Sequence, residues 1–121
     1  MLVADDDEDI RDLVVFKLTQ AGYSVQAVPD GAAALESIRA ARPHLAILDV
    51  MMPGLSGFDV LRALRQDPAT AGVAVILLTA RSRDADIDTG FATGAQDYVV
   101  KPFSPRELLH RVRTVLARVP G

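Results

Sequence analysis

The sequence predicts a doubly wound α/β domain, with five parallel strands alternating with five helices. Three observations carry this. Short apolar runs alternate with helical patterns along all 121 residues, and that alternation is how parallel sheets are assembled. Two of the runs, Leu45–Leu48 and Val73–Leu78, are continuously apolar, as central strands covered on both faces must be. The helical stretches stop at glycines or ahead of prolines, where a helix ends at least cost.

Taken in order, the first strand is Leu2–Ala4. The first helix carries Ile10, Leu13, Val14 and Leu18 at helical spacing and stops at Gly22. Ser24–Val28 reads as the second strand. The second helix spans about Gly31 to Ala41, with Leu35 and Ile38 on its apolar side, and ends before Pro43. Leu45–Leu48 is the third strand. The third helix begins at Ser56, with Asp59 three residues on, and ends near Gln66 before Pro68. Val73–Leu78 is the fourth strand, and a fourth helix over Arg83–Thr93 ends at Gly94. Tyr98–Val100 makes the fifth strand. The fifth helix has the clearest start, with Ser104 as cap, Pro105 at the first helical position and Glu107 completing a capping box. Periodicity does not give strand order, but 2-1-3-4-5 is the common arrangement for five strands, the flavodoxin-like one. It puts ligands beyond the carboxyl ends of the first and third strands.

The unusual polar residues converge on that edge. Asp5 and Asp6 follow the first strand and Asp49 ends the third, while Thr79 closes the fourth and Lys101 the fifth. Glu8 and Asp9 suit the positive end of a helix dipole, but that does not account for Asp5 and Asp6. Clustered carboxylates cannot all stay ionised without compensation. Lys101 supplies part of it, and a hard divalent cation would supply the rest. Oxygen donors with only one or two direct carboxylates suit Mg²⁺ better than zinc. Phosphoryl transfer needs charge neutralisation, an in-line nucleophile and hydrogen bonds to the equatorial oxygens. A carboxylate can be that nucleophile.

Four segments, Leu2-Val3-Ala4-Asp5-Asp6-Asp7, Ile47-Leu48-Asp49-Val50-Met51-Met52-Pro53-Gly54, Leu78-Thr79-Ala80 and Tyr98-Val99-Val100-Lys101-Pro102-Phe103, together resemble the bacterial response-regulator receiver over essentially the whole chain. The resemblance implies that Asp49 is the phosphorylated aspartate. It implies that Asp6 binds Mg²⁺ directly, that Asp5 acts through water or more weakly, and that Met51 offers its backbone carbonyl. Thr79 and Lys101 would contact the phosphoryl group, with Ala80 small enough to leave access. Tyr98 would be an aromatic switch, and Lys101-Pro102 a cis peptide. The implied partner is a sensor histidine kinase or phosphotransfer protein, with slow hydrolysis of the acyl phosphate resetting the switch. Asp97, Glu107 and Arg111 match positions used by receivers that homodimerise through the fourth helix, fifth strand and fifth helix. Ile87 and Asp88 depart from that dimer's usual pattern. The chain reads as a single receiver domain over residues 1–121, a fragment of a longer regulator.

Other classes fit less well. Phosphohydrolases working through an aspartyl phosphate carry a second Asp two residues after the nucleophile, and here that position is Met51. A flavin or nucleotide module needs a glycine- or hydroxyl-rich loop after the first strand, where this chain has acidic residues. A docking pseudo-receiver would not need the full set of acceptor-site residue types. The net charge of −3 argues against a nucleic-acid surface on this segment. No apolar run is long enough for a bilayer, no secretory signal is present, and there is no cysteine. A cytoplasmic protein is expected. His44 and His110 read as surface residues, Met51 and Met52 as gap-filling side chains, and Asp84, Asp86 and Asp88 as a solvated helix face.

Overall fold

In the computed structural model, which describes residues 1–80 and 92–118, the five apolar runs form one parallel sheet of order β2-β1-β3-β4-β5. Its strands are β1 (Leu2–Ala4), β2 (Gln26–Val28), β3 (Leu45–Asp49), β4 (Ala74–Ala80) and β5 (Asp97–Lys101). The helices described are α1 (Glu8–Gln20), α2 (Gly31–Ala41), α3 (Gly57–Gln66) and α4 (Pro105–Arg118). The helix expected over Arg83–Thr93 falls largely outside the described residues, as do Asp84, Asp86, Ile87 and Asp88. Its described end, Ala92 and Thr93, is helical and is followed by Gly94 at φ 108°.

Both faces of the sheet are covered. Val14 and Leu18 of α1, with Leu108, Val112 and Val115 of α4, pack on Val3, Ile47, Ile76 and Val99. Ala34 and Ile38 of α2, with Val60, Leu61 and Leu64 of α3, pack on Leu2, Leu48, Val75 and Leu77. Successive strand residues therefore point to opposite cores, which is why β3 and β4 could be apolar without alternation. Among the described residues no helix is long and apolar enough to cross a membrane.

Strand ends differ from the pattern-based expectation for a pairing reason. β2 is shorter than Ser24–Val28 because β1 offers it only three partners, Leu2 opposite Gln26 through Ala4 opposite Val28. β4 and β5 instead run on together, with Thr79 opposite Val100 and Ala80 opposite Lys101. The ladder thus carries Thr79 and Lys101 as strand residues up to the edge of the sheet. Val73 stays outside β4, its N–H donating to the Thr70 carbonyl (3.0 Å).

Helix starts follow local chemistry. Asp7 caps α1 by accepting from the Asp9 and Ile10 N–H groups. Ser56 and Asp59 form a reciprocal capping box on α3. The Glu107 N–H donates to Ser104 Oγ (3.0 Å) at the start of α4.

At the opposite end of the sheet, Arg65 of α3 donates to the carbonyls of Ala71 (3.2 Å), Val73 (2.7 Å) and Gly94 (2.8 Å) and to Gln96 Oε1 (3.1 Å). The same Gln96 oxygen accepts from the Val75 N–H (2.7 Å). One guanidinium thereby ties the approaches to β4 and β5 together. Arg65→Met is expected to lower unfolding free energy by about 2 kcal/mol, the scale of losing hydrogen bonds from a charged donor. Urea denaturation checks this, and an unchanged midpoint would mean water replaces the clamp without cost.

Candidate functional site

The strand ends of β1, β3, β4 and β5 bring Asp5, Asp49, Thr79 and Lys101 to one edge. Asp5 is inaccessible to solvent, and Asp49 is 4% and Thr79 3% exposed. Lys101 Nζ donates to Asp5 Oδ2 (2.9 Å) and lies 3.2 Å from Asp49 Oδ2. Asp5 Oδ1 accepts from the Asp7 N–H (2.9 Å), and Asp49 Oδ1 from the Met51 N–H (3.3 Å). Every oxygen of the two buried carboxylates thus has a partner, as burial demands.

Burial pushes the Asp49 carboxyl up from 3.8 to about 6; the Asp5 charge adds to the rise, and Lys101 opposes it. For Lys101, burial works against the charge. The hydrogen bond to Asp5 and the charges of Asp49 and Asp5 outweigh it, raising the ammonium above its ordinary value. The site is an acidic pair with one cation between its members, short of full compensation.

Asp6 supplies the third carboxylate. It is exposed, and one carboxylate oxygen each from Asp5, Asp6 and Asp49 lie within 4.8 Å of one another. The donors are oxygens only, and the cluster bears more negative charge than Lys101 offsets. Such a set fits a hard divalent cation and not a thiophilic metal. Met51, whose carbonyl the resemblance assigns to the metal, follows on the loop after β3 and is 67% exposed.

The remaining expected residues lie around this edge. Ala80 is exposed at the end of β4. Tyr98 is half-buried and packs against the core under α2 and α3. The Lys101–Pro102 peptide is cis. Asp97 and Arg111 pair with each other within the chain (3.3 Å), and Glu107 is exposed on α4. His44 and His110 are not part of the cluster.

Two contributors escape the sequence reading. Gly57, the first residue of α3, approaches the β3 end so closely that an added Cβ would sit 2.5 Å from the Asp49 carbonyl oxygen and 3.1 Å from Val50 Cα. Its N–H donates to the Val50 carbonyl (3.0 Å). Gly57→Ala is expected to destabilise by about 1–2 kcal/mol through overpacking against backbone, in spite of alanine's better helix propensity. A stability gain in urea would show that α3 can move off the strand. The second is Arg11, whose Nη1 donates to the Asp5 carbonyl (2.8 Å). A cation in the first turn of a helix opposes the dipole, and that misplacement was the available sequence signal.

A five-stranded 2-1-3-4-5 sheet with three carboxylates and a lysine at the switch point defines a class, and the family comparison agrees. The chain belongs to the response regulator receiver domain family, whose model matches residues 1–113, a family of regulatory switches in two-component systems. It is similar to the DNA-binding response regulator MtrA of Mycolicibacterium smegmatis (42% identical over 118 residues, 98% of this chain and 50% of the relative). It is also similar to the transcriptional regulatory protein CseB of Streptomyces coelicolor (44% over 118 residues, 98% of this chain and 49% of the relative). The chain therefore spans about half the length of these curated relatives. Among solved structures, a response regulator of Chloroflexus aurantiacus superimposes with TM-score 0.92 at 38% identity, covering 97% of this chain and 96% of that one. The chemotaxis protein CheY4 of Vibrio cholerae does so with TM-score 0.89 at 35% identity, covering 94% and 95%.

Proposed function

We propose that Asp49 accepts a phosphoryl group from a phosphohistidine of a sensor kinase or phosphotransfer protein, and that the acyl phosphate switches the receiver's output face. The observation that carries this is the pairing of Lys101 with both buried carboxylates, at 2.9 Å to Asp5 and 3.2 Å to Asp49. That arrangement leaves a strand-end carboxylate beside a fixed cation at the mouth of the sheet.

In this reading Asp49 Oδ attacks phosphorus, the P–N bond breaks, and the departing imidazole nitrogen takes a proton. Asp6 and Asp49 would hold Mg²⁺ with the Met51 carbonyl, and Asp5 would act through water. The ion would supply the positive charge that lets phosphoryl oxygens approach three carboxylates. Lys101 already stands between Asp5 and Asp49 and can turn to a phosphoryl oxygen. The Thr79 hydroxyl, at the end of the adjacent strand, would move to another. Ala80, beside it, leaves room.

These contacts exist only with the phosphoryl group bound, so they shift the population toward the conformation that makes them. Tyr98 would follow Thr79 inward, reshaping the face that carries Asp97, Glu107 and Arg111. Homodimerisation on phosphorylation belongs to that face in the same reading. The cis Lys101–Pro102 bond sits where β5 hands Lys101 to the site. Slow hydrolysis of the acyl phosphate would reset the domain. MtrA and CseB are named as DNA-binding and transcriptional regulators, and an output of that kind on a longer regulator is the corresponding proposal for this receiver.

Intact-mass analysis after incubation with acetyl phosphate tests the reading. One added phosphoryl group that requires Mg²⁺ and is lost in Asp49→Asn is the expected result. No addition to a folded, Mg²⁺-binding protein, together with no uptake of beryllium fluoride, would leave a docking domain.

A further inference from the structure

Asp5 is held at every polar group. Its N–H donates to the Val28 carbonyl (3.3 Å), and its carboxylate accepts from the Asp7 N–H (2.9 Å) and from Lys101 (2.9 Å). Its carbonyl accepts from Arg11 Nη1 (2.8 Å). That last bond fixes the plane of the peptide joining Asp5 to Asp6. Asp6 itself is exposed, and among the described residues its side chain has no hydrogen-bond or ion-pair partner. Its carboxylate is nevertheless within 4.8 Å of those of Asp5 and Asp49, against the repulsion of two like charges. Among the described residues, the peptide that joins Asp6 to Asp5 is what aims it there.

Arg11 itself sits where the helix dipole disfavours a cation. It lies in the first turn of α1, and its side chain folds back over the turn to reach a residue six positions earlier.

We propose that Arg11 is a positioning residue for the cation site, orienting the Asp5–Asp6 peptide so that the Asp6 carboxylate faces Asp49. The inference rests on the reading of Asp6 as a Mg²⁺ ligand. Two effects of Arg11 have opposite signs, which makes the idea decidable. As a positive charge near the carboxylates it weakens cation binding, and its removal would tighten it. As the support of a ligand it strengthens binding, and loss of such a support typically costs 10–100-fold in affinity.

Mg²⁺ titration calorimetry on the whole chain separates them, using wild type, Arg11→Met, Arg11→Lys, Asp6→Asn and the Asp6→Asn/Arg11→Met double variant. Arg11→Met is expected to bind Mg²⁺ about 10-fold more weakly while melting within a few degrees of wild type in EDTA. Arg11→Lys still reaches the carbonyl and is expected to stay within about threefold of wild type. In the Asp6→Asn background the methionine substitution should no longer weaken binding, since the ligand it supports is gone and only the small charge effect of opposite sign is left.

Equal or tighter binding by Arg11→Met overturns the proposal, as does an undiminished loss in the Asp6→Asn background, or a loss in Arg11→Lys equal to that in Arg11→Met. Should Arg11→Met not fold, Arg11→Gln replaces it with the same expectation. Failure of wild type to bind Mg²⁺ would overturn the site reading itself. Binding that Asp6→Asn leaves intact would overturn Asp6 as a ligand. Either result differs from an Arg11 effect of the wrong sign.

Discussion

Lys101→Met is expected to cost the metal-free protein about 3–5 kcal/mol at neutral pH, the largest loss for any single substitution at the site. The lysine is the cation that compensates two carboxylates, one inaccessible and the other nearly so. Removing one partner of a buried ionic group leaves the other uncompensated, and that penalty exceeds the net worth of the pair. The side chain of Lys101 is 18% exposed, so some water reaches the gap and the lower end of the range is the better expectation. The loss should shrink toward pH 5, because Asp49, already at about 6 with the lysine present, would then take up a proton instead of staying charged. Urea denaturation of both proteins at pH 7.5 and pH 5 in EDTA checks this. Equal stability at pH 7.5 would mean that the carboxylates do not depend on Lys101.

Asp49→Asn is expected to act in the opposite direction and stabilise the metal-free fold at pH 7.5. The folded carboxyl sits at about 6 against an ordinary value of 3.8. Between those values the folded chain keeps a proton that the unfolded chain has released. Stability therefore falls as pH rises from about 4 to about 6, and the full penalty remains above that window. Two pH units correspond to roughly 3 kcal/mol at most, and relaxation of the site brings the expected gain to about 1–3 kcal/mol. Asparagine carries no charge to bury and lets Lys101 serve Asp5 alone. The advantage should vanish below about pH 3, where wild-type Asp49 is protonated in both states. A variant less stable than wild type at pH 7.5 would show that the attraction between Lys101 and Asp49 outweighs the cost of burial and of Asp5. Both predictions describe a carboxylate site that is strained by its own charge.

Much of this architecture was legible because few solutions satisfy the pattern. Leu45–Leu48 and Val73–Leu78 have no polar face to expose, so they must be central, and the helices must lie on both sides of them. Once those strands are central, Asp49, Thr79 and Lys101 fall at the same edge as Asp5 and Asp6 by chain direction alone. Strand ends were less legible because pairing partners set them. Thr79 and Lys101 became strand residues only through the β4–β5 ladder, while β2 was trimmed by the shortness of β1. Contacts distant in sequence left no local signal. Nothing around Arg65 announces its bonds to Gly94 and Gln96, and the need for glycine at position 57 follows from backbone proximity to Asp49, which no periodicity encodes. Arg11 differs, since a basic residue in the first turn of a helix is a visible anomaly that asks for a partner.

The acceptor is most directly tested by trapping the acyl phosphate chemically. Protein phosphorylated with acetyl phosphate and Mg²⁺ would be reduced with borohydride, digested and mapped by tandem mass spectrometry. An acyl phosphate on Asp49 becomes homoserine, so a homoserine at position 49 and at no other aspartate is the predicted result. Homoserine at Asp5 or Asp6, with residue 49 still aspartate, would contradict the assignment of Asp49 as the residue that takes the phosphoryl group.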